Sequence, residues 1–252
     1  MEENPRAQAN KIVRVKKAEF SSVSRLWAET IAWRHMPKPF PHMNVMYNIK
    51  RDSGILFCFS SDLEKFSNAA KSIESSPNRS DMISGFADKC KSDYDSALQV
   101  ISDLGEVGLP SLPNESLYKV YSIVMSQHSE LSKSLYIHSL LSIVRSGAAS
   151  DFERALKERG IDLVQLDLAA KHLFENGLFE ELSKRSYKSK AEIMLMTPEE
   201  IHSSIYGGVF EEWELENRKS HFIMLYDLEK DGPLVYSGEK SRVMEVSLDM
   251  RI

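Results

Sequence analysis

Residues 111–147 read SLPNESLYKVYSIVMSQHSELSKSLYIHSLLSIVRSG, and this stretch decides the fold. Its apolar and histidine positions recur every three or four residues, the spacing that places side chains on one face of an α-helix. They are Leu117, Tyr121, Val124, His128, Leu131, Leu135, His138 and Leu141. Pro113 and Glu115 suit a helix start, because proline lacks an amide hydrogen and an acid stabilises the positive helix end. Gly147 suits the left-handed conformation that closes a helix, so the stretch predicts one long amphipathic helix.

Several other segments also have helical periodicity. Phe20, Val23, Trp27 and Ile31 share one helical face, and a longer stripe runs from Ile83 to Ile101. Three further starts resemble capping boxes, in which a Ser or Thr side chain and an acid three residues later satisfy each other's backbone amides. These predicted boxes begin at Ser61, Ser150 and Thr197.

Strand-like segments are short and lie mainly at the C-terminal end. Residues 54–60 predict one strand, and residues 221–226, 234–236 and 242–246 predict a small β-unit. The predicted fold class is therefore mainly α, a multi-helix bundle with a long central helix and a small C-terminal β-unit. We expect a disordered segment at 1–11, a helical body at 12–160, and a helical segment with the β-unit at 161–252.

Composition narrows the functional classes. The chain has 37 acidic and 32 basic residues, for a net charge of −5, which disfavours nucleic acid as a partner. It contains neither a signal-peptide core nor an apolar run of membrane-spanning length, so we expect a soluble protein without a membrane partner. Cys58 and Cys90 lie in apolar surroundings and lack metal-type spacing, which favours a reducing, cytoplasmic location.

Motifs for catalysis and cofactor binding are missing from the sequence. The seven histidines lack the spacing of a zinc motif, and there is no phosphate-binding loop, dinucleotide fingerprint or nucleophile elbow. The sequence therefore predicts no catalytic residues, no cofactor and no metal site.

Two groups of residues are candidates for a ligand or partner surface. The first flanks a proline-rich segment and could meet an anion, although a solvated loop is the simpler interpretation; it contains Arg34, His35, Lys38, Phe40 and His42. The second would lie at the mouth of a pocket between the helical body and the β-unit, where domain junctions favour binding sites; it contains Trp213, Arg218 and His221.

The order of several segments resembles the helical region of phosphoenolpyruvate-utilising enzymes, those similar to phosphoenolpyruvate synthase and rifampicin phosphotransferase. The matching segments are ILFCFSSDLEKF at 55–66, the helix at 86–101, LPNESLYKVY at 112–121, LMTPEEI at 195–201, and ENRKS at 216–220 with the β-tail. The resemblance covers most of residues 45–245. It implies a region that joins an ATP-grasp domain to a swivelling phosphohistidine domain.

The family's catalytic motifs have no counterpart in this chain. The histidine motif Gly-x-Thr-Ser/Cys-His-Ala, the ATP-grasp glycine-rich loop and the phosphoenolpyruvate-binding barrel are all missing. The resemblance therefore implies a noncatalytic scaffold that positions partner domains or proteins, either as part of a longer ATP-dependent phosphotransferase or as a free-standing relative. The alternatives are a small-molecule-binding protein or enzyme with a pocket beside the β-unit, and a helical adaptor for another protein.

Overall fold

A computed structural model describes residues 12–18, 23–31, 44–48, 53–208, 211–225 and 233–247. Within these residues the chain forms eleven α-helices and one five-stranded antiparallel sheet, which confirms the predicted mainly helical fold. The strands are β1 (Ile12–Ala18), β2 (Asn44–Asn48), β3 (Ser53–Phe59), β4 (His221–Leu225) and β5 (Leu234–Ser237). The helices are α1 (Val23–Ile31), α2 (Ser60–Glu74), α3 (Arg79–Glu106), α4 (Asn114–Ile143), α5 (Ala148–Glu158), α6 (Leu163–His172), α7 (Leu178–Ser186), α8 (Lys190–Leu195), α9 (Pro198–Ile205), α10 (Glu212–Arg218) and α11 (Gly238–Ser247).

The predicted long helix is α4, which has 30 residues. It packs against α1, α3, α5, α6, α7 and β1, so elements from both sides of it in the sequence share its surface. Six positions of the predicted stripe are buried, from Leu117 to Leu141. Ser129, Ser132 and Ser134 are buried as well. Their small side chains let neighbouring helices approach α4 closely on more than one face. The helix is therefore the centre of the helical body.

The end of α4 differs from the prediction. Arg145, not Gly147, takes the left-handed conformation, with φ of 54°. The amide of Ser146 donates to the Leu141 carbonyl at 2.9 Å and that of Arg145 to the Ser142 carbonyl at 3.0 Å, the paired hydrogen bonds of a Schellman motif. Gly147 has φ of −61° and caps the next helix instead, so the predicted role of Gly147 was wrong.

Two predicted capping boxes were also wrong. Helix α2 follows β3 directly and begins at Ser60, so Ser61 lies inside the helix. Helix α5 begins at Ala148, before Ser150, and its start is capped by the Glu74 carboxylate from the end of α2. Oε1 of Glu74 accepts hydrogen bonds from the Ser146 hydroxyl at 2.7 Å and the Gly147 amide at 2.5 Å. A side chain distant in sequence therefore supplies the helix cap that was expected from Ser150. The third predicted box, at Thr197 and Glu200, is confirmed.

The cap from Glu74 makes stability depend on pH. The hydrogen bond from Ser146, and then that from Gly147, hold the pKa of the Glu74 carboxyl below its usual value of 4.5. A lowered folded-state pKa contributes stability that is complete above the unfolded pKa and is lost as pH falls through the folded value. We expect Glu74→Gln to flatten the decrease in unfolding free energy below about pH 4.5, measured by urea denaturation. Glu64→Gln, at an exposed position of the same helix, should leave that decrease unchanged; equal flattening by both variants would contradict the cap.

The sheet joins both ends of the described chain. Its strand order is β1-β3-β2-β4-β5, and β2 pairs with both β3 and β4. Side chains alternate between the two faces, as the strand period requires. One face packs on the helical core through Val45, Tyr47, Leu56, Cys58, Phe222 and Met224, whereas the other buries Met46, Ile55, Phe57 and Ile223. The C-terminal strands β4 and β5 therefore belong to the same sheet as β3, the strand predicted near 54–60.

The C-terminal end contains one helix where a strand was expected. Residues 242–246 lie in α11, which packs on β4 and β5, so the predicted strand there was wrong. The chain turns at Gly238, whose φ of +58° is rarely adopted by other residues, and the helix begins at once. This segment is too short for the spacing of its apolar residues to distinguish a strand from a helix, and packing on the sheet favours the helix. The predicted disordered segment 1–11 lies outside the described residues.

Candidate functional site

Only one of the two predicted surfaces can be located. The first group, Arg34, His35, Lys38, Phe40 and His42, lies outside the described residues. The second group lies on α10 and β4, beside α11. Trp213, Arg218 and His221 lie in one region of the structure. Trp213 is exposed there, whereas Arg218 and His221 are buried.

Arg218 is 4% exposed and holds α10 against the preceding two helices. Its Nη2 donates to Oε1 of Glu200 at 2.7 Å, and its Nη1 donates to Oε2 of the same carboxylate and to the Leu195 carbonyl at 3.0 Å. Glu200 also accepts a hydrogen bond from the Thr197 amide at 2.8 Å, so one carboxylate caps α9 and binds Arg218. A two-pronged guanidinium–carboxylate contact of this kind fixes geometry as well as charge. Arg218 therefore positions α10.

His221 is buried at the start of β4 and fastens α11 to the sheet. The Ser241 hydroxyl donates to the Gly238 carbonyl at 2.8 Å, so its oxygen accepts from Nδ1 of His221, also at 2.8 Å. This arrangement places the hydrogen on Nδ1 of the imidazole. Like Arg218, His221 is held by protein groups and supports the surface above it.

Trp213 is the member of the group that faces outward, with 51% of its surface exposed. The ammonium of Lys240 lies 5.4 Å from the centre of its ring, within cation–π distance. Lys240 is also 3.7 Å from Glu214, which keeps the α11 side chain beside α10. Val243, one turn further along α11, is exposed too. We call Trp213, Lys240 and Val243 the Trp213 surface.

Tyr187 is a second exposed aromatic residue, and the residue after it forms an ion pair with α10. It precedes Lys188, whose ammonium is 2.5 Å from the carboxylate of Glu212, and Glu212 precedes Trp213. Tyr187 is 96% exposed and has φ of 54° at the end of α7. A bulky residue in that conformation is uncommon and marks a position worth attention. Tyr187 was not predicted from the sequence, although neither Gly nor Asn separates α7 from the capping box at Ser189.

The Trp213 surface combines an exposed aromatic ring with a cation beside it. Half-exposed aromatic rings supply large apolar area at little conformational cost, and they are enriched where proteins bind one another. The acids of α10 are engaged by lysines: Glu212 by Lys188 and Glu214 by Lys240. Within the ranges described, the structure contains no group of three or more His, Cys, Asp or Glu residues arranged to hold a metal ion. In the same ranges no helix has both the length and the apolar character needed to cross a membrane.

Comparisons with known proteins assign the chain to no family. A scan against protein-family models found no match, and searches of curated proteins and of solved structures found none either. The resemblance to the helical region of phosphoenolpyruvate-utilising enzymes therefore stays a prediction from the sequence.

Proposed function

We propose that this chain is a noncatalytic helical scaffold that positions partner domains or proteins. The observation that carries the proposal is the central position of α4, a 30-residue helix against which six other elements pack. A long helix buried along most of its length is stiff, and rigid elements hold a binding surface more accurately than loops do. The scaffold would present the Trp213 surface at a constant position relative to α4.

A chain of hydrogen bonds connects α4 to that surface. Nη1 of Arg185, on α7, donates to Oδ1 of Asn114 at the start of α4, at 2.8 Å. Nδ2 of Asn114 donates to the Ile205 carbonyl at the end of α9, at 3.1 Å. Helix α9 in turn binds α10 through Glu200 and Arg218. These hydrogen bonds support the idea that α4 holds Trp213 at a constant position in the fold.

The sequence resemblance names the partners to test first. An ATP-grasp domain and a phosphohistidine domain are the two that such a helical region would join, and the free, buried thiols of Cys58 and Cys90 suit their cytoplasmic setting. We expect the chain to bind at least one of these domains, purified from an enzyme similar to phosphoenolpyruvate synthase, and to accelerate phosphoryl transfer between them. Labelled ATP and phosphoenolpyruvate should leave the chain alone unlabelled. Stoichiometric phosphohistidine on the chain, or binding to neither domain, would overturn the proposal.

Trp213 provides a direct test of the docking surface. We expect Trp213→Ala to weaken binding to the partner domain at least ~10-fold, because exposed tryptophans are frequent hot spots of interfaces. The free energy of unfolding should fall by only about 1–2 kcal/mol, because half of the side chain is already in solvent and only the burial of the other half is lost. Isothermal titration calorimetry and urea denaturation measure the two quantities. The matched control is Val164→Ala. It truncates an exposed apolar side chain on α6 and should leave binding to the partner domain unchanged.

A further inference from the structure

Three aromatic rings meet at the surface where the end of α9 lies beside the start of α4. Tyr118 on α4 contacts His202 of α9 edge-on, with ring centres 4.8 Å apart, and His202 lies 4.6 Å from Tyr206. Tyr118 and Tyr206 are 6.5 Å apart, with 74° between their planes, so the rings face in different directions. The Trp213 surface lies on α10 and α11 instead, and the inference below does not depend on the proposed function.

A carboxylate shares this surface with the rings. Glu199, His202 and Tyr206 follow one another at intervals of three and four residues, the spacing of one helix face. All three are exposed, Tyr206 to 46%. The Asn114 side chain donates a hydrogen bond to the Ile205 carbonyl at 3.1 Å and holds this end of α9 on α4. We call Tyr118, Glu199, His202 and Tyr206 the Tyr118 patch.

Tyr118 anchors the patch in the core. It is half-buried, and its ring packs 5.6 Å from that of Tyr121, which is fully buried. Burial, and after it the negative charge of Glu199, raises the pKa of the Tyr118 phenol above its usual value of 10.0. The phenol is therefore uncharged at neutral pH, and the charge that acts on it comes from Glu199.

The negative charge of Glu199 is left over when the ion pairs around it are accounted for. Lys119, which is near enough to Tyr206 to interact with it electrostatically, pairs with Glu115 at 2.7 Å. Across the part of the chain that the structure describes, no cation forms an ion pair with Glu199 or lies over the rings of Tyr118 and Tyr206. The patch therefore combines an unpaired acid with exposed aromatic surface.

We propose that the Tyr118 patch binds an arginine side chain of a partner protein. The guanidinium stacks on the rings, and its N–H groups donate to the Glu199 carboxylate. Arginine suits both parts of the patch, because its planar cation is weakly hydrated, stacks on aromatic faces and matches a carboxylate with two donors. A lysine ammonium is more strongly hydrated, and a trimethylated lysine has no N–H to donate, so each of these cations satisfies only part of the patch.

Three short peptides are the probes. They have the form acetyl-Gly-X-Gly-amide, where X is arginine, trimethyllysine or citrulline, the neutral residue with nearly the shape of arginine. In a sample with labelled histidine rings, we expect the arginine peptide to shift the His202 signal saturably. The signal of His172, which lies 3.7 Å from Glu175 on another part of the surface, should stay unchanged.

The order of affinities decides the chemistry of the partner. The citrulline peptide should bind at least ~5-fold more weakly than the arginine peptide, because it loses both the cation–π contact and the ion pair. An unshifted His202 signal, or equal affinity for arginine and citrulline, would overturn the proposal. Tighter binding of the trimethyllysine peptide would overturn the assignment to arginine.

Two acids give a matched pair of variants for the charge. Glu199→Gln should weaken binding of the arginine peptide about threefold, the effect of one exposed ion pair. Glu158→Gln removes an exposed acid from α5 and should leave the affinity unchanged. Equal affinities for the two variants would contradict the role of Glu199.

Two substitutions at Tyr206 test the aromatic contact separately. Tyr206→Leu keeps an apolar side chain but removes the ring, and should weaken binding of the arginine peptide about threefold. Tyr206→Phe keeps the ring and should bind as the parent does. Because Tyr206 is half exposed, both variants should fold, which circular dichroism checks. Unchanged affinity in Tyr206→Leu would show that the guanidinium does not stack here.

Discussion

Replacing Gly54 with alanine is expected to lower the free energy of unfolding by about 3 kcal/mol, the upper range for forcing extra atoms into a packed core. Gly54 lies on β3 directly opposite Tyr47 of β2. A Cβ atom at Gly54 would lie 2.1 Å from Cδ2 of Tyr47 and 2.9 Å from the Met46 carbonyl oxygen. The tyrosine has no room to move, because it is buried and stacks on Phe222 at 6.1 Å. The strand or the ring must therefore shift.

Gly85 offers the matched control within the same chain. It lies inside α3, and a Cβ atom there would have no heavy atom within 4 Å. Gly85→Ala should raise the free energy of unfolding by up to about 1 kcal/mol, because alanine has the higher helix propensity. Urea denaturation of both variants measures the two effects, which have opposite signs. A Gly54→Ala protein as stable as the parent would show that Tyr47 does not occupy this position.

Neutralising Glu200 is expected to have an effect of similar size. Glu200→Gln keeps an oxygen that can cap α9 but removes the charge opposite Arg218, whose side chain is almost fully buried. A buried charge that loses its partner costs about 3–5 kcal/mol, and we expect about 3 kcal/mol because the glutamine still accepts one hydrogen bond. Chemical denaturation followed by circular dichroism measures this loss.

A double variant separates the ion pair from other effects. Arg218→Met in the Glu200→Gln background removes the unpaired charge, so it should recover part of the lost stability. Glu199→Gln, at the exposed neighbouring position, should change the unfolding free energy by less than ~0.5 kcal/mol. Equal losses for Glu199→Gln and Glu200→Gln would mean that net charge, and not the buried pair, determines the effect.

Local signals in the sequence identified several elements correctly. The periodicity of residues 117–141 located α4, and the pattern Thr197-Pro198-Glu199-Glu200 marked the start of α9. The strand predicted at 54–60 forms at Ser53–Phe59. These features depend on residues within a few positions of one another, where steric preference and hydrogen bonding act without the rest of the fold.

The candidate site could be predicted less well from the sequence. Trp213 lies at the surface as expected, whereas Arg218 and His221 are buried by contacts with Glu200 and Ser241. Those partners are 18 and 20 residues away, so no local pattern could have indicated them.

The sequence by itself determined the long helix α4, the start of α9 and the strand at Ser53–Phe59, because spacing of apolar residues and capping groups is encoded within single segments. Tertiary structure alone decided that Glu74 caps α5, that Arg145 closes α4, and that residues 242–246 are helical. It also decided that strands from both ends of the described chain form one sheet. In each of these cases the deciding contact joins segments distant in sequence, and its free energy outweighs a weak local preference.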